Sequence, residues 1–130
     1  MFNRLIEIHD STLVSLLIRG DEAVLRFEFY IHQSAGKPLQ DPSTGWSQGG
    51  ILRIKDPVMN GSFSDFPRDL HNGQITLDGT ISENVIPIPL SYQGSVELQL
   101  QSWSEAISIT GSEVQLELIG EPTYIEEFNP

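Results

Sequence analysis

Residues 95–120 read SVELQLQSWSEAISITGSEVQLELIG, and the spacing of apolar positions in this stretch decides the fold class. Val96, Leu98 and Leu100 alternate with Glu97, Gln99 and Gln101. Ile107 and Ile109 come after Trp103, Ser104 and Glu105, and Val114, Leu116 and Leu118 alternate with Glu113, Gln115 and Glu117. A period of two is what a strand needs when one face meets a core and the other meets water. The short breaks between the runs suit tight turns. The stretch therefore predicts a three-strand antiparallel meander, apolar inward and acidic or amide-bearing outward.

Upstream of the meander, residues 84–92 carry prolines at 87 and 89. Neither offers a donor N–H, which places that segment at a sheet edge or in polyproline conformation. Asp78-Gly79 between residues 74–77 and 80–83 has the signature of a type I′ hairpin. Residues 58–73 lack a period; the expectation is either an irregular crossing anchored by Met59, Phe63 and Phe66 or a further short strand holding Phe63, with a single helical turn over residues 67–71. Residues 51–56 predict a short strand that Pro57 ends or forces to a sheet edge. Residues 33–50 (QSAGKPLQDPSTGWSQGG) hold two prolines and four glycines without periodicity, and predict a long loop carrying Trp46.

Closer to the start, residues 13–19 are nearly continuous in apolar side chains, as in a strand covered on both faces. Gly20-Asp21 supplies a two-residue turn of type II′. The return strand, residues 23–32, sets Leu25, Phe27, Phe29 and Ile31 on one face and Arg26, Glu28, Tyr30 and His32 on the other. Residues 1–11 read as a short lead-in. Residues 121–130 read as a tail that docks Tyr124, Ile125 and Phe128 and frays at its end. The expectation is an all-β, single-domain antiparallel β-sandwich or partly open barrel with meander and hairpin connections.

A chain of 130 residues fits one domain, and 38% apolar residues are enough for a core. There are no cysteines, which excludes disulfides and thiolate chemistry and leans toward a cytoplasmic setting. The apolar run at residues 13–18 is broken by Ser15 and is too short for a signal-peptide core or a bilayer span. The net charge is −11. All seven basic residues, Arg4, Arg19, Arg26, Lys37, Arg53, Lys55 and Arg68, lie in the first 68 positions, where eight acids nearly cancel them. The remaining positions hold ten acids, from Asp69 to Glu127, and no Lys or Arg. Such a surface repels nucleic acid and anionic lipid and attracts basic protein. The plainer reading is solubility alone.

No nucleophile elbow, phosphate-binding glycine loop, zinc-binding helix or dinucleotide fingerprint occurs, so no catalytic residues and no cofactor are expected. His9-Asp10 precedes the first apolar strand and offers two metal ligands, or a base with its orienter. The simpler use of Asp10 and Ser11 is to bond local backbone. Asp65, Asp69 and His71 are the available partners for a metal, but their spacing matches no calcium loop, and no metal is expected. Trp46, Trp103, Tyr30 and Tyr92 offer rings for stacking on a sugar or peptide. Trp103 shares the parity of Glu97 and Gln99 and should face outward, or else shield the rim of the core. Trp46 is the loop anchor candidate, or else pins its own loop.

His9-Asp10-Ser11 leading into an apolar strand, with the ending EVQLELIGEPTYIEEF at residues 113–128, resembles small uncharacterised bacterial β-rich proteins. These have an H-D-[SA] start and a G-x-x-x-Y-[IV]-E tail, and some are similar to immunity proteins of toxin systems. The resemblance implies a non-enzymatic binding protein, and the acidic second half suits a basic target such as a nuclease toxin. The leading expectation is thus a non-catalytic protein-interaction domain using Trp46, Glu97, Trp103, Glu113 and Glu117. The alternatives are a carbohydrate- or small-ligand-binding β-domain and a metal-dependent hydrolase built on His9, Asp10 and His71.

Overall fold

The computed structural model describes residues 2–130, and among them ten strands and no helix form. They are β1 Asn3–Arg19, β2 Glu22–Ser34, β3 Ser43–Lys55, β4 Val58–Gly61, β5 Arg68–Asp69, β6 Asn72–Leu77, β7 Thr80–Glu83, β8 Val85–Pro87, β9 Ser91–Gln101 and β10 Ala106–Phe128. One antiparallel sheet, ordered β5-β1-β2-β3-β10-β9-β6-β7 with β4 beside β10 and β8 beside β1, curls into a half-barrel. The all-β class holds, and of the two forms expected it is the partly open barrel.

The 95–120 stretch makes two strands where three were expected. The third run continues the second, because Gly111 forms a bulge in place of a turn: the register to β9 shifts between Gly111 and Glu113. A bulge bends a strand and raises its twist. Past it, β10 keeps β9 only as far as Gln115 and takes β3 on its other side, from Glu113 opposite Lys55 to Phe128 opposite Ser43. The tail is therefore the last part of a 23-residue strand. Beyond Gln115, where pairing with β9 ends, residues 117–128 are paired along one edge only, through β3. That stretch is interrupted by Gly120 at φ 75° and by Pro122.

The long loop is shorter than expected, spanning residues 35–42, and Trp46 lies inside β3. The glycines that made this region read as a loop are packing positions. A methyl on Gly45 would lie 2.7 Å from the Tyr30 ring, and one on Gly50 would lie 2.6 Å from the Phe29 ring and 2.9 Å from the Glu117 carbonyl. The lead-in is also strand, from Asn3, with an irregularity between Glu7 and Thr12 where Asp10 takes φ 82°. Ser11 stitches that irregularity: its Oγ donates to the Glu7 carbonyl (2.7 Å) and accepts from the Tyr30 N–H (3.0 Å). Residues 13–19 are not covered on both faces, since Leu17 and Ile18 project into solvent. The helical turn expected at 67–71 is instead β5, paired to β1 at Thr12 and Leu13. The Asp78-Gly79 turn has positive φ at both residues, as type I′ requires.

The core fills the concave side. Leu25, Phe29 and Ile31 of β2, Leu52 and Ile54 of β3, Leu98 and Leu100 of β9, and Ile109 and Val114 of β10 are all buried. Each large side chain so removed from water is worth about 1.5–3 kcal/mol. The open seam of the half-barrel is bridged by backbone. The Ile8 N–H donates to the Asn84 carbonyl and the Asn84 N–H to the Gly73 carbonyl, both at 2.8 Å. Leu70 donates to Ser11 (3.0 Å) and His71 to Gln101 (2.7 Å).

The neighbouring glycines of β3 give a direct test. Gly50→Ala should lower stability by about 1–3 kcal/mol through overpacking. Gly49→Ala, whose nearest neighbour would lie at 3.7 Å, should stay within about 0.5 kcal/mol of the parent. Urea unfolding midpoints of the two variants check the contrast.

Candidate binding face

The residue with the largest unexplained exposure is Trp103, at 84%. It sits in the turn between β9 and β10, and Ser102 locks that turn. The Ser102 N–H donates to the Glu105 carbonyl (2.9 Å), and its Oγ accepts from the Glu105 N–H (3.1 Å). The segment joining β4 to β6 lies alongside. Its Arg68 guanidinium reaches Ser64, Asp65 and Glu105 and covers the Phe63 ring, with the charge centre 5.6 Å from the centroid. This segment delivers His71, whose imidazole stacks on the Trp103 indole at 3.8 Å between centroids and 26° between planes. His9, turned out by the β1 irregularity, meets His71 edge-on at 5.8 Å, and its Nδ1 donates to the His71 carbonyl (2.9 Å). Trp103, His71 and His9 thus form an exposed aromatic ledge across the seam.

A depression of about 430 Å³ lies at the Trp103 end, lined by His71, Gln101, Trp103 and Glu105. A second, of about 240 Å³, continues from Gln101 past Gln99, Asn72 and Gln74 to Glu83. Glu105 Oε1 accepts from the Ser64 N–H (3.1 Å), the Ser64 hydroxyl (3.0 Å) and Arg68 (2.8 Å). The Ser64 backbone bond, then its hydroxyl, then the Arg68 charge hold this carboxyl below the usual carboxylate range. At the far end of β9, Tyr92 donates to Asp78, which lowers the Asp78 carboxyl and raises the Tyr92 phenol.

The expected site residues divide. Trp103 is exposed, but from the turn after β9, since the strand whose parity it shares ends at Gln101. Glu97, Glu113 and Glu117 stand on the outer face of the sheet, but not as bare charges. Gln99 donates to Glu97 (3.0 Å), Gln93 to Glu113 (3.1 Å) and Arg53 to Glu117 (2.7 Å), and Lys55 lies directly across from Glu113. Trp46 is not an exposed loop anchor. It is half-buried in β3, donates to Thr44 Oγ1 (2.8 Å) and meets the Tyr124 ring at 5.4 Å. Tyr30 is buried, lies over Gly45 and donates to Glu126 (2.7 Å); burial first and that bond second push its phenol well above the ordinary value. His9, Asp10 and His71 do come together, with His9 Nε2 3.6 Å from Asp10. Among the described residues, however, no three His, Cys, Asp or Glu side chains are arranged to hold a metal ion.

Two features escape the sequence reading. The His71–Trp103 stack joins residues from separate segments, and no linear signal marks it. His32, placed by parity on the polar face of β2, is only 1% exposed. It is enclosed by Glu7 (2.6 Å to Nε2), Ser43 and the Phe128 ring, whose centroid lies 4.9 Å away.

No family model, curated protein or solved structure matches the chain.

The lowered Glu105 carboxyl sets a pH dependence. Its contribution to holding the turn is complete above the usual carboxylate range and is lost as pH falls through its depressed value. Acidification below that range should loosen the Ser64–Glu105 contact and change the emission of Trp103. The response should vanish in Glu105→Gln. Fluorescence titration of the two proteins checks this.

Proposed function

We propose that the chain is a non-catalytic interaction domain that presents the outer face of β6, β7, β9 and β10 to a basic protein partner. The observation that supports this most is topological. The segment without Lys or Arg supplies β6, β7, β9 and β10, and these lie side by side at one end of the sheet order. Arg4, Arg19 and Arg26 lie on β1 and β2, away from these strands, while Arg53 and Lys55 lie on β3, which borders β10. The part of the sequence without Lys or Arg thereby becomes a contiguous group of strands, with Arg53 and Lys55 at its border along β10. Complementary fields of this kind steer encounter and select partners more than they add raw affinity. The immunity-like resemblance and a cytoplasmic, cysteine-free setting fit the same reading, with a basic toxin as the class of target. No helix of the described residues is long and apolar enough to cross a membrane.

A second reading, a carbohydrate-binding β-domain, is favoured by one observation. The amides of Asn72, Gln74, Gln99 and Gln101 line the depression that leads away from the exposed Trp103. Neutral amides beside an open aromatic face suit a polyhydroxyl ligand.

Affinity for a panel of basic and acidic proteins of matched size, measured at low and high salt, distinguishes selective charge recognition from mere solubility. The parent should retain basic proteins selectively and release them as salt rises. Glu97→Gln, Glu113→Gln and Glu117→Gln combined should weaken retention roughly three- to tenfold and flatten the salt dependence. Equal retention of acidic and basic proteins by the parent removes the proposal.

A further inference from the structure

The aromatic ledge at the seam carries a more specific inference, which rests on the basic-partner reading. Trp103 has one indole face against His71 and is otherwise open, at 84% exposure. An open Trp is a poor choice for solubility, and the turn beneath it is rigid: three hydrogen bonds link Ser102 and Glu105. The indole is therefore held in place, and an ordered ring loses little freedom when something settles on it.

The surroundings select the class of ligand. Carboxylates accompany the ledge: Asp10 lies 3.6 Å from His9, Asp69 shares a depression with Asp10, and Glu105 lines the depression that Trp103 lines. Asp65 stands behind Arg68. Arg68 is the one guanidinium among these side chains. It is mostly buried and already held by Asp65 and Glu105, so the four carboxylates named here outnumber the one guanidinium. A cation over an indole face gains from the ring's quadrupole, and here it gains again from the nearby acids. A neutral sugar gains from neither.

We propose that the Trp103–His71 stack is the anchor of the interaction face, and that it receives a Lys or Arg side chain from an extended basic segment of the partner protein. The cation lies over the free face of the Trp103 indole. The segment then continues across the outer face of β9 and β6, past Gln101, Gln99 and Gln74, whose amides meet its backbone.

The test uses the full chain with Trp46→Phe, so that Trp103 alone reports. Three probes are titrated: a peptide of about ten residues alternating Arg and Ser, its Glu-Ser counterpart, and a neutral oligosaccharide of glucose. Circular dichroism of each variant confirms that it is folded. The Arg-Ser peptide is expected to shift Trp103 emission, more weakly as salt rises, while the other two probes leave it unchanged. Measured by calorimetry in the parent background, Trp103→Leu should weaken the Arg-Ser peptide roughly three- to tenfold, and Trp103→Phe, which keeps an aromatic face, should restore most of that loss. Salt-sensitive peptide binding that Trp103→Leu leaves unchanged overturns the anchor and spares the charge-based reading. No binding of the Arg-Ser peptide overturns both. A shift produced by the oligosaccharide and not by the peptide overturns both in favour of a carbohydrate ligand.

Discussion

The architecture depends on the exchange of partners along β10. Up to Gln115 this strand is bonded to β9, and from Glu113 onward it is bonded to β3. It is therefore the hinge between two units, β1-β2-β3 and β9-β6-β7. A regular strand pairs its neighbours over one common span. The bulge after Gly111 shifts the register and re-aims the chain, so that the two units meet at an angle and the sheet curls. Buried side chains from both units, Leu25 and Leu52 on one side and Leu98 and Leu100 on the other, then share one core.

Curling also places the ledge. The two ends of the sheet approach each other, and the gap is too irregular for a full ladder. Four backbone bonds, through Asn84, Leu70 and His71, satisfy the groups facing it. The seam is thus where residues from β1, from the 62–71 crossing and from the β9–β10 turn converge, and there His9, His71 and Trp103 come into contact. Aromatic side chains set on a seam can be exposed without opening the core, because Leu70, Ile75 and Leu100 lie sealed beneath.

Where local pattern decides conformation, the sequence was informative. The alternation in β2 and β9 and the turns at Gly20-Asp21 and Asp78-Gly79 follow from a period of two and from turn chemistry. Errors arose where a distant residue explains a local one. Gly45 and Gly50 read as loop glycines, yet they are strand positions kept small for Tyr30 and Phe29. Gly111 reads as a turn and is a bulge, a distinction made by the strand on its far side. His32 has polar-face parity and is buried because Phe128, 96 positions later, covers it. The acidic face was legible as a pattern; its partial neutralisation by Arg53 and Lys55 was not, since β3 is joined to β10 only through the fold.

The one-sided pairing of β10 over residues 117–128 bears on how the molecule coexists with its own copies. Unpaired strand edges are templates on which another chain can add, and a sheet built from sequence-distant pairings folds slowly enough to show such an edge for some time. Here the row of donors is interrupted by Pro122, kinked at Gly120 and flanked by Glu121, Glu126 and Glu127. An incoming sister strand meets no continuous ladder and a like charge. The strand that ties the half-barrel together thus also guards the molecule against fibrillar self-association.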